Sequence, residues 1–228
     1  MLRTETLERA TLELLKTLMK DEKLTSFNLV GGTALALFMG HRKSIDLDLF
    51  SQQAFDVTTL ADHLMSAYNF EFQNPEQKSN ATLIGYINGI KIDCIRYDYS
   101  QVKPVRISDG IRLCSMHDIA AMKLTAISQN GTRLKDFIDV AFLSAKMPLK
   151  EMLDAFEAKY PNTNKLSAVK GLVYFNDIDF STKIDLIDGI FKWKEIEKRL
   201  NEMIKYPNRT FLAYPVTNER KAGIGFKK

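Results

Sequence analysis

The 228-residue sequence is 45% hydrophobic and 26% charged, which is the composition of an ordinary globular protein. This length fits one domain of ordinary size with an appendage. Every apolar run is shorter than the roughly 18 residues that span a bilayer, which argues against a membrane protein. Glu5, Glu8 and Arg9 interrupt the first apolar pattern, so we expect no signal peptide. Two cysteines without paired spacing argue against a disulfide scaffold and a zinc site, and we expect a cytoplasmic protein.

The charge is unevenly distributed along the chain. The formal net charge is +4, but residues 192–228 contain ten Lys or Arg against four Glu, a net charge of +6. The first 191 residues therefore carry a net charge of −2. A basic end of this kind attracts a polyanion or keeps a tail soluble, and the sequence leaves both functions open.

The first part of the chain is predicted to form a helix, a strand and a second helix. Apolar residues at helical spacing predict a helix over 4–20, and Phe27–Val30 is predicted to be the first strand. A turn at Gly31 and Gly32 then leads into a short apolar helix that starts at Thr33. Glycines let backbone N–H groups approach an anion, and the helix dipole points the same way. This segment is predicted to bind phosphate, although an ordinary turn before a helix has the same appearance.

Residues 45–50 alternate between apolar and acidic side chains. In a strand this alternation sends the aliphatic residues, from Ile45 onward, to one face and both Asp46 and Asp48 to the other. Two carboxylates about 7 Å apart repel each other, and Mg²⁺, which prefers oxygen ligands, removes that repulsion. We therefore predict a nucleotide and metal site. The alternative is an edge strand whose solvent face carries two aspartates.

Residues 29–37, with the sequence LVGGTALAL, and the later pattern Arg42-x-Ser44-x-Asp46-x-Asp48 resemble a known signature. It is that of the DNA polymerase β-like nucleotidyltransferase superfamily, and more closely that of the AbiEii/AbiGii toxin family. The resemblance implies an α/β (α+β) fold with a mixed sheet flanked by helices. It also implies transfer of a nucleotidyl group. Many members of the family are the toxin of a bacterial toxin–antitoxin pair.

The next segment is predicted to form a helix over 56–68, a short strand within 68–73 and a β-hairpin. The hairpin signal is strong because Asn88 and Gly89 separate two β-prone runs and favour a type I′ turn. The two predicted strands of the hairpin are 81–87 and 90–95.

Lys91 and Asp93 share one face of the second hairpin strand. They resemble the Lys-x-Asp motif of the toxin family, in which a third carboxylate lies next to the Asp-x-Asp pair. Three carboxylates can hold two Mg²⁺ ions, one aligning the triphosphate and one activating the attacking hydroxyl. The alternative is an exposed hairpin aspartate that pairs with Lys91 or Arg96.

A strand at Ile111–Cys114 and helices over 119–127 and 133–143 are predicted to follow. The charged residues of these two helices resemble the last motif of the toxin family. In that family the charges of the motif close the active site from the helical side. The alternative is helix-surface pairing of Arg133 with Asp136 and of Lys135 with Asp139. The charged residues of this motif are Lys123, Arg133, Lys135, Asp136 and Asp139.

Beyond Pro148 the strand signals stop. We predict a nucleotidyltransferase core over 1–147 and a helical C-terminal region over 148–228. Asp177-x-Asp179 lacks upstream glycines and a strand pattern, so it is predicted to be a loop. Residues after Pro207 are predicted to form an extended or mobile basic tail. The predicted helices of this region are 149–160, 164–174 and 191–206.

The function expected from these patterns is Mg²⁺-dependent transfer of a nucleoside monophosphate from a nucleoside triphosphate (NTP) to an acceptor hydroxyl. The predicted metal ligands are Asp46, Asp48 and Asp93. Lys91 and Lys123 are predicted to neutralise charge on the triphosphate. The predicted nucleotide-binding residues are Gly31, Gly32, Thr33, Arg42, Ser44, Arg133, Lys135 and Asp136.

The resemblance points to tRNA as the acceptor, and the basic end with its aromatic residues is expected to help hold it. A cognate antitoxin is a possible partner. The alternative function is a catalytically inactive protein that binds a nucleotide or a partner on the same fold. The aromatic residues of the basic end are Trp193, Tyr206, Phe211, Tyr214 and Phe226.

Overall fold

A computed structural model describes residues 1–74 and 79–217. A seven-stranded mixed sheet with the order β3-β4-β5-β2-β1-β7-β6 is surrounded by helices, which confirms the predicted α/β architecture. The strands are β1 (Asn28–Leu29), β2 (Leu47–Ser51), β3 (Glu71–Phe72), β4 (Thr82–Ile87), β5 (Ile90–Arg96), β6 (Arg106–Ser108) and β7 (Ile111–Leu113). The α-helices are α1 (Arg9–Leu18), α2 (Gly31–Met39), α3 (Val57–Tyr68), α4 (Met116–Gln129), α5 (Leu134–Leu143), α6 (Leu149–Lys159), α7 (Lys165–Gly171) and α8 (Trp193–Lys205). No helix within the described ranges is long and apolar enough to cross a bilayer.

Local sequence signals set several element boundaries. The carboxylate of Asp56 accepts the backbone N–H of Thr59 and begins α3, and the Ser115 hydroxyl accepts the N–H of Asp118 at the start of α4. Asn88 and Gly89 both have positive φ, 51° and 76°, as a type I′ turn requires. The predicted hairpin of β4 and β5 is therefore confirmed.

Two predictions near the N-terminus were wrong in their boundaries. The chain forms a 3₁₀ turn at Thr4–Thr6 before α1, because the Thr6 carbonyl accepts the N–H of Ser44 and holds this segment against the loop before β2. β2 begins at Leu47 rather than at Ile45, whose side chain is 56% exposed instead of joining the core.

The middle of the sheet determines where the functional residues lie. β2 is antiparallel to β1 and parallel to β5. The register pairs Asp48 with Asp93 and, two residues further, Phe50 with Ile95. Because alternate residues of a strand point to the same face, these four side chains lie on one face of the sheet. The opposite face is apolar, with Leu47, Leu49 and Cys94 fully buried.

The helices after residue 147 pack on those before it. α6 and α7 lie against α4, and α8 lies against α5. One hydrophobic core includes side chains from both sides of Pro148. The division of the chain at residue 147 stays a prediction.

The prediction of an extended or mobile tail after Pro207 was wrong as far as Thr217. Phe211 is buried, and its N–H donates to the carbonyl of Ser144. The Tyr214 ring packs on Phe142 at 5.0 Å between centroids. Apolar burial fixes this segment, which the weak periodicity of its sequence does not indicate.

The prediction that aromatic residues of the basic end stack on bases is also wrong for most of them. The Trp193 ring contacts Phe137, Phe175 and Phe180, and Phe211 and Tyr214 pack on the core. Tyr206 is the exception among the described residues, with 43% exposure. Phe226 lies outside the described residues.

Candidate active site

The thirteen residues predicted to bind metal, to bind nucleotide or to catalyse all lie in the wall of one cleft of about 480 Å³. Its floor is the carboxylate face of β2 and β5, and its walls are the start of α2 and the side of α4. A larger cavity of about 770 Å³ lies between α3 and β4, but among the described residues Asp62 is the one charged residue that lines it. The smaller cleft is therefore the candidate active site.

The carboxylates of Asp48 and Asp93 face each other across neighbouring strands. Burial, followed by the charge of Asp93, raises the pKa of Asp48 to about 6. Asp46 adds to this increase, while Lys123 and Lys91 oppose it. The two neighbouring carboxylates therefore repel each other, and a bound cation would remove this repulsion.

Asp93 has one satisfied and one unsatisfied oxygen. Its Oδ2 accepts a hydrogen bond from Lys91 Nζ at 2.7 Å, as the alternative of a hairpin ion pair predicts. Its Oδ1 is buried and has no hydrogen-bond partner among the described residues. Since buried polar atoms are nearly always paired, a bare carboxylate oxygen beside a second carboxylate fits a divalent cation.

Within residues 1–74 and 79–217, no group of three or more His, Cys, Asp or Glu side chains is arranged to hold a metal ion. The pair of Asp48 and Asp93 fits one ion by its charge and its bare oxygen. The predicted role of Asp46 as a ligand and the predicted second ion stay predictions.

Gly31 and Gly32, the first two residues of α2, lie so close to other side chains that a larger residue would not fit. Gly31 has φ of +69°, and a Cβ there would lie 2.2 Å from Asp48 Oδ2. A Cβ on Gly32 would lie 2.3 Å from Arg42 Nη2. Helix α2 has no side-chain N-cap, so the N–H groups of its first turn are not used by a capping side chain. The helix start is open to an anion, as predicted for a phosphate site.

Thr33 and Ser44 form the polar edge next to this helix start. Their hydroxyl oxygens are 2.8 Å apart, and the Thr33 hydroxyl also donates to the carbonyl of Asp46. The contact ties α2 to the segment that leads into β2. Ser44 also lines a smaller neighbouring pocket of about 260 Å³ together with Lys135.

A buried ion network supports the cleft from behind. Asp139 Oδ1 accepts Arg42 Nε at 2.8 Å and contacts His41 Nε2 at 2.9 Å, while Oδ2 accepts Arg42 Nη2 at 3.0 Å. Lys123 Nζ lies 2.8 Å from Asp139 Oδ2 and 2.5 Å from Asp136 Oδ1. Two cations and two anions balance in this network, with neutral His41 beside them.

Burial alone would raise the pKa of Asp139, but Arg42 and Lys123 lower it well below its ordinary value. Burial lowers the pKa of His41, which keeps its imidazole neutral despite the contact with Asp139. The network therefore holds the Asp139 carboxylate ionised in the interior. It fixes Lys123 in the cleft wall.

The sequence pattern of the family described as "Nucleotidyl transferase AbiEii toxin, Type IV TA system" matches residues 13–186. The chain belongs to the AbiEii family. It is 34% identical over 187 residues to aq_aa25, an uncharacterised protein of Aquifex aeolicus (strain VF5), covering 78% of this chain and 86% of that protein.

Solved structures share the fold of this AbiEii-family chain at low sequence identity. MenT4, a nucleotidyltransferase toxin of Mycobacterium tuberculosis H37Rv, superposes with a TM-score of 0.54 at 12% identity, covering 84% of this chain and 78% of MenT4. JHP933 of Helicobacter pylori gives a TM-score of 0.50 at 16% identity, covering 89% and 93%. The predicted polymerase β-like nucleotidyltransferase fold is confirmed, and the family makes the protein a nucleotidyltransferase.

Sequence reasoning missed part of this site in the AbiEii-family protein. No sequence motif singles out His41, which is buried against Asp139. Of the two helix-surface pairs given as the alternative, Lys135 with Asp139 does not form, because Asp139 contacts Arg42 and Lys123. In the other pair, Arg133 Nε lies 3.8 Å from Asp136 Oδ2. One signal was available: Asp139 interrupts the apolar face of α5, where an isolated charge requires a partner.

Proposed function

We propose that this protein transfers a nucleoside monophosphate from an NTP to a hydroxyl group of an RNA acceptor, with tRNA as the preferred acceptor and Mg²⁺ as the cofactor. We further propose that it is the toxin of a pair with a cognate antitoxin. One observation carries the catalytic part of the proposal: Asp48 and Asp93 are paired in register beside an uncapped helix start, and the buried Oδ1 of Asp93 has no hydrogen-bond partner among the described residues.

The phosphate chain of the NTP is assigned to the polar end of the cleft. Backbone N–H groups of Gly32 and Thr33 at the start of α2 would bind its oxygens, with the hydroxyl of Ser44 beside them. Lys135 and the 70% exposed side chain of Arg133 lie at the same end, where both can donate to phosphate. Gly31 serves the site by leaving room for Asp48.

The reaction requires an acceptor oxygen to bond to the α-phosphorus while the bond to the bridging oxygen of the β-phosphate breaks. Pyrophosphate leaves, and the proton of the acceptor hydroxyl passes to a carboxylate of the pair, with Asp93 as the acceptor in this proposal. Bound Mg²⁺ would neutralise the phosphates and acidify the attacking hydroxyl. Asp48 and Asp93, joined by Asp46, would hold it.

The cationic residues have two different roles in this proposal. Lys91 lies at the rim of the cleft, and its ammonium group can turn from Asp93 to the phosphates when a metal takes its place. Lys123, Arg42 and Asp136 are already bound to one another or to Asp139, so we assign them to positioning and to the local field. No histidine base is needed, since His41, His63 and His117 pair with acids outside the cleft.

The test is label transfer from each of the four NTPs to total RNA and to purified tRNA, with and without Mg²⁺. We expect a labelled RNA product that requires Mg²⁺ and whose rate of formation falls about 10³-fold in Asp93→Asn, because the carboxylate that would hold Mg²⁺ and accept the proton of the hydroxyl is lost. Asp98→Asn is the matched control, since Asp98 pairs with Arg96 on the surface of the same segment. Equal label transfer by wild type and Asp93→Asn would contradict the assignment.

The inactive binding protein remains a second candidate because Asp93 already has a cationic partner in Lys91. This candidate predicts equilibrium binding of NTP without any covalent product. Binding isotherms measured beside the transfer assay separate the two functions. A product from any acceptor removes this candidate.

The basic end is proposed to contribute charge to RNA binding. Because Phe211 and Tyr214 are part of the packed structure, a truncation after Pro207 would damage the fold, and the informative deletion begins after Thr217. Deleting 218–228 removes four Lys or Arg and one Glu. We expect the shortened protein to bind tRNA more weakly, with a slope of log K against log salt reduced by about 2–3.

A full-length variant with Gln at the four basic positions of 218–228 is the control for chain length. It should match the deletion in both affinity and salt slope. Unchanged binding in both variants would remove this segment from RNA recognition. Filter binding at several salt concentrations measures the slope.

A further inference from the structure

The end of the cleft opposite the phosphate site is apolar. Phe50 and Ile95 follow Asp48 and Asp93 by two residues in the same register, so they lie on the same face about 7 Å further along the strands. Each is partly exposed to the cleft although each is hydrophobic. The acidic pair is therefore bordered directly by an apolar surface.

The ring of Tyr97 extends this surface and is held in place from several sides. Its hydroxyl is hydrogen-bonded to that of Tyr160, its backbone N–H donates to Ser51, and its ring centroid lies 5.1 Å from that of Phe50. Lys159 Nζ lies 5.5 Å from the ring centroid. A ring fixed before binding loses little entropy when a ligand stacks on it.

Met122 of helix α4 adds to this apolar surface, because it lines a small pocket together with Phe50 and Tyr97. Along the segment that ends in β2, the cleft residues run from Ser44 through Asp46 and Asp48 to Phe50. The cleft is thus polarised along one axis. Phosphate-binding groups lie at one end, carboxylates in the middle and apolar side chains at the other end.

We propose that this apolar end binds the base of the incoming NTP. The inference rests on the proposed function, because it takes the phosphate chain to lie at the polar end and the reacting α-phosphorus at Asp48 and Asp93. An NTP is an extended molecule, so its ribose and base must then point away from the polar end. Aromatic and apolar side chains bind a base through its face. The surface consists of Phe50, Ile95, Tyr97 and Met122.

The experiment compares two ligands that share the phosphate chain and differ in the base. Titration calorimetry without an RNA acceptor measures binding of each NTP and of inorganic tripolyphosphate, both with Mg²⁺. We expect Tyr97→Leu and Phe50→Leu to weaken binding of the preferred NTP about tenfold, because one stacking contact is lost. Binding of tripolyphosphate should change less than twofold. Tyr97→Phe, which keeps the ring and loses the hydrogen bond to Tyr160, should retain most of the NTP affinity.

Tyr206→Leu is the matched control, because Tyr206 is exposed outside the cleft. Equal weakening of NTP and tripolyphosphate would overturn the inference, since it would show a general loss of structure. Unchanged NTP binding with a raised KM for the RNA acceptor would also overturn it, by assigning the surface to the acceptor base. A wild-type protein that binds neither ligand would instead contradict the proposed function itself.

Discussion

Asp48→Asn is expected to stabilise the metal-free protein and at the same time to reduce nucleotidyl transfer about 10³-fold. Both effects have one cause, which is the negative charge of Asp48. Burial and the neighbouring Asp93 make this charge unfavourable, and the proposed reaction requires it. The pKa of Asp48 is raised to about 6. With about 1.4 kcal/mol for each pKa unit, and an allowance for screening of a half-buried group, the gain in the free energy of unfolding is about 2 kcal/mol at pH 8.

The stability that Asp48→Asn gains over the wild type depends on pH in a direction that follows from the pKa of Asp48. Because the pKa of Asp48 is higher in the folded state than in the unfolded state, the wild-type protein binds a proton more tightly when folded, and its stability increases as the pH falls from about 6 toward 4. Asparagine does not titrate. The difference between the two proteins should therefore be full above pH 7 and should disappear near pH 4.

Urea unfolding of both proteins in EDTA at pH 8 and pH 4.5 measures this difference. Asp98→Asn is again the control, because its carboxylate is exposed and pairs with Arg96. Added Mg²⁺ should stabilise the wild type more than Asp48→Asn, since a ligand stabilises the state that binds it. A destabilised Asp48→Asn at pH 8 would show that the carboxylate contributes to the fold, against the repulsion described here.

The largest expected loss of stability is that of Asp139→Asn. Its carboxylate contacts Arg42, Lys123 and His41, and the amide leaves two buried cations facing a single remaining anion, Asp136. Removing one partner of a buried ion pair costs about 3–5 kcal/mol. This is a large part of the roughly 5–15 kcal/mol of a typical domain, so we expect a protein that is partly unfolded at 37 °C.

Asp154→Asn provides the comparison for a surface pair. Asp154 lies 2.6 Å from Lys150, but both side chains are more than half exposed, so its loss should change the free energy of unfolding by less than about 1 kcal/mol. Thermal and urea unfolding of the two variants give the contrast directly. Similar small effects for both would mean that the buried network contributes no more than an exposed pair.

The two variants separate the two kinds of charge in this cleft. Asp48 lies on the floor of the cleft, where burial and Asp93 make its charge unfavourable, whereas Asp139 lies behind the cleft and is paired with Arg42 and Lys123. We infer that the ion network behind the cleft stabilises the fold, whereas the charge of Asp48 on the cleft floor destabilises it. Asp48→Asn and Asp139→Asn should therefore change stability in opposite directions.

Local patterns in the sequence were sufficient for most of the elements and for the members of the cleft. The alternation around Asp48, the Asn88-Gly89 turn and the glycines at the start of α2 each depend on neighbouring residues, so their geometry follows from short-range rules. The resemblance to the toxin family supplied the fold and placed Lys123 and Lys135 in the same site. Segments without periodicity, such as the one that contains Phe211, gave no such signal.

The tertiary structure decided how the charges are paired. His41 and Arg42 meet Asp139 across almost one hundred positions of sequence, and the sequence spacing instead favoured a pairing of Asp139 with Lys135 along the helix surface. It also decided that Phe50 and Ile95 adjoin the carboxylates, because the register of β2 with β5 joins strands about 45 residues apart. The sequence by itself was sufficient to predict which residues line the cleft. Their partners depend on contacts between distant segments, which form only when the hydrophobic core brings the sheet and the helices together.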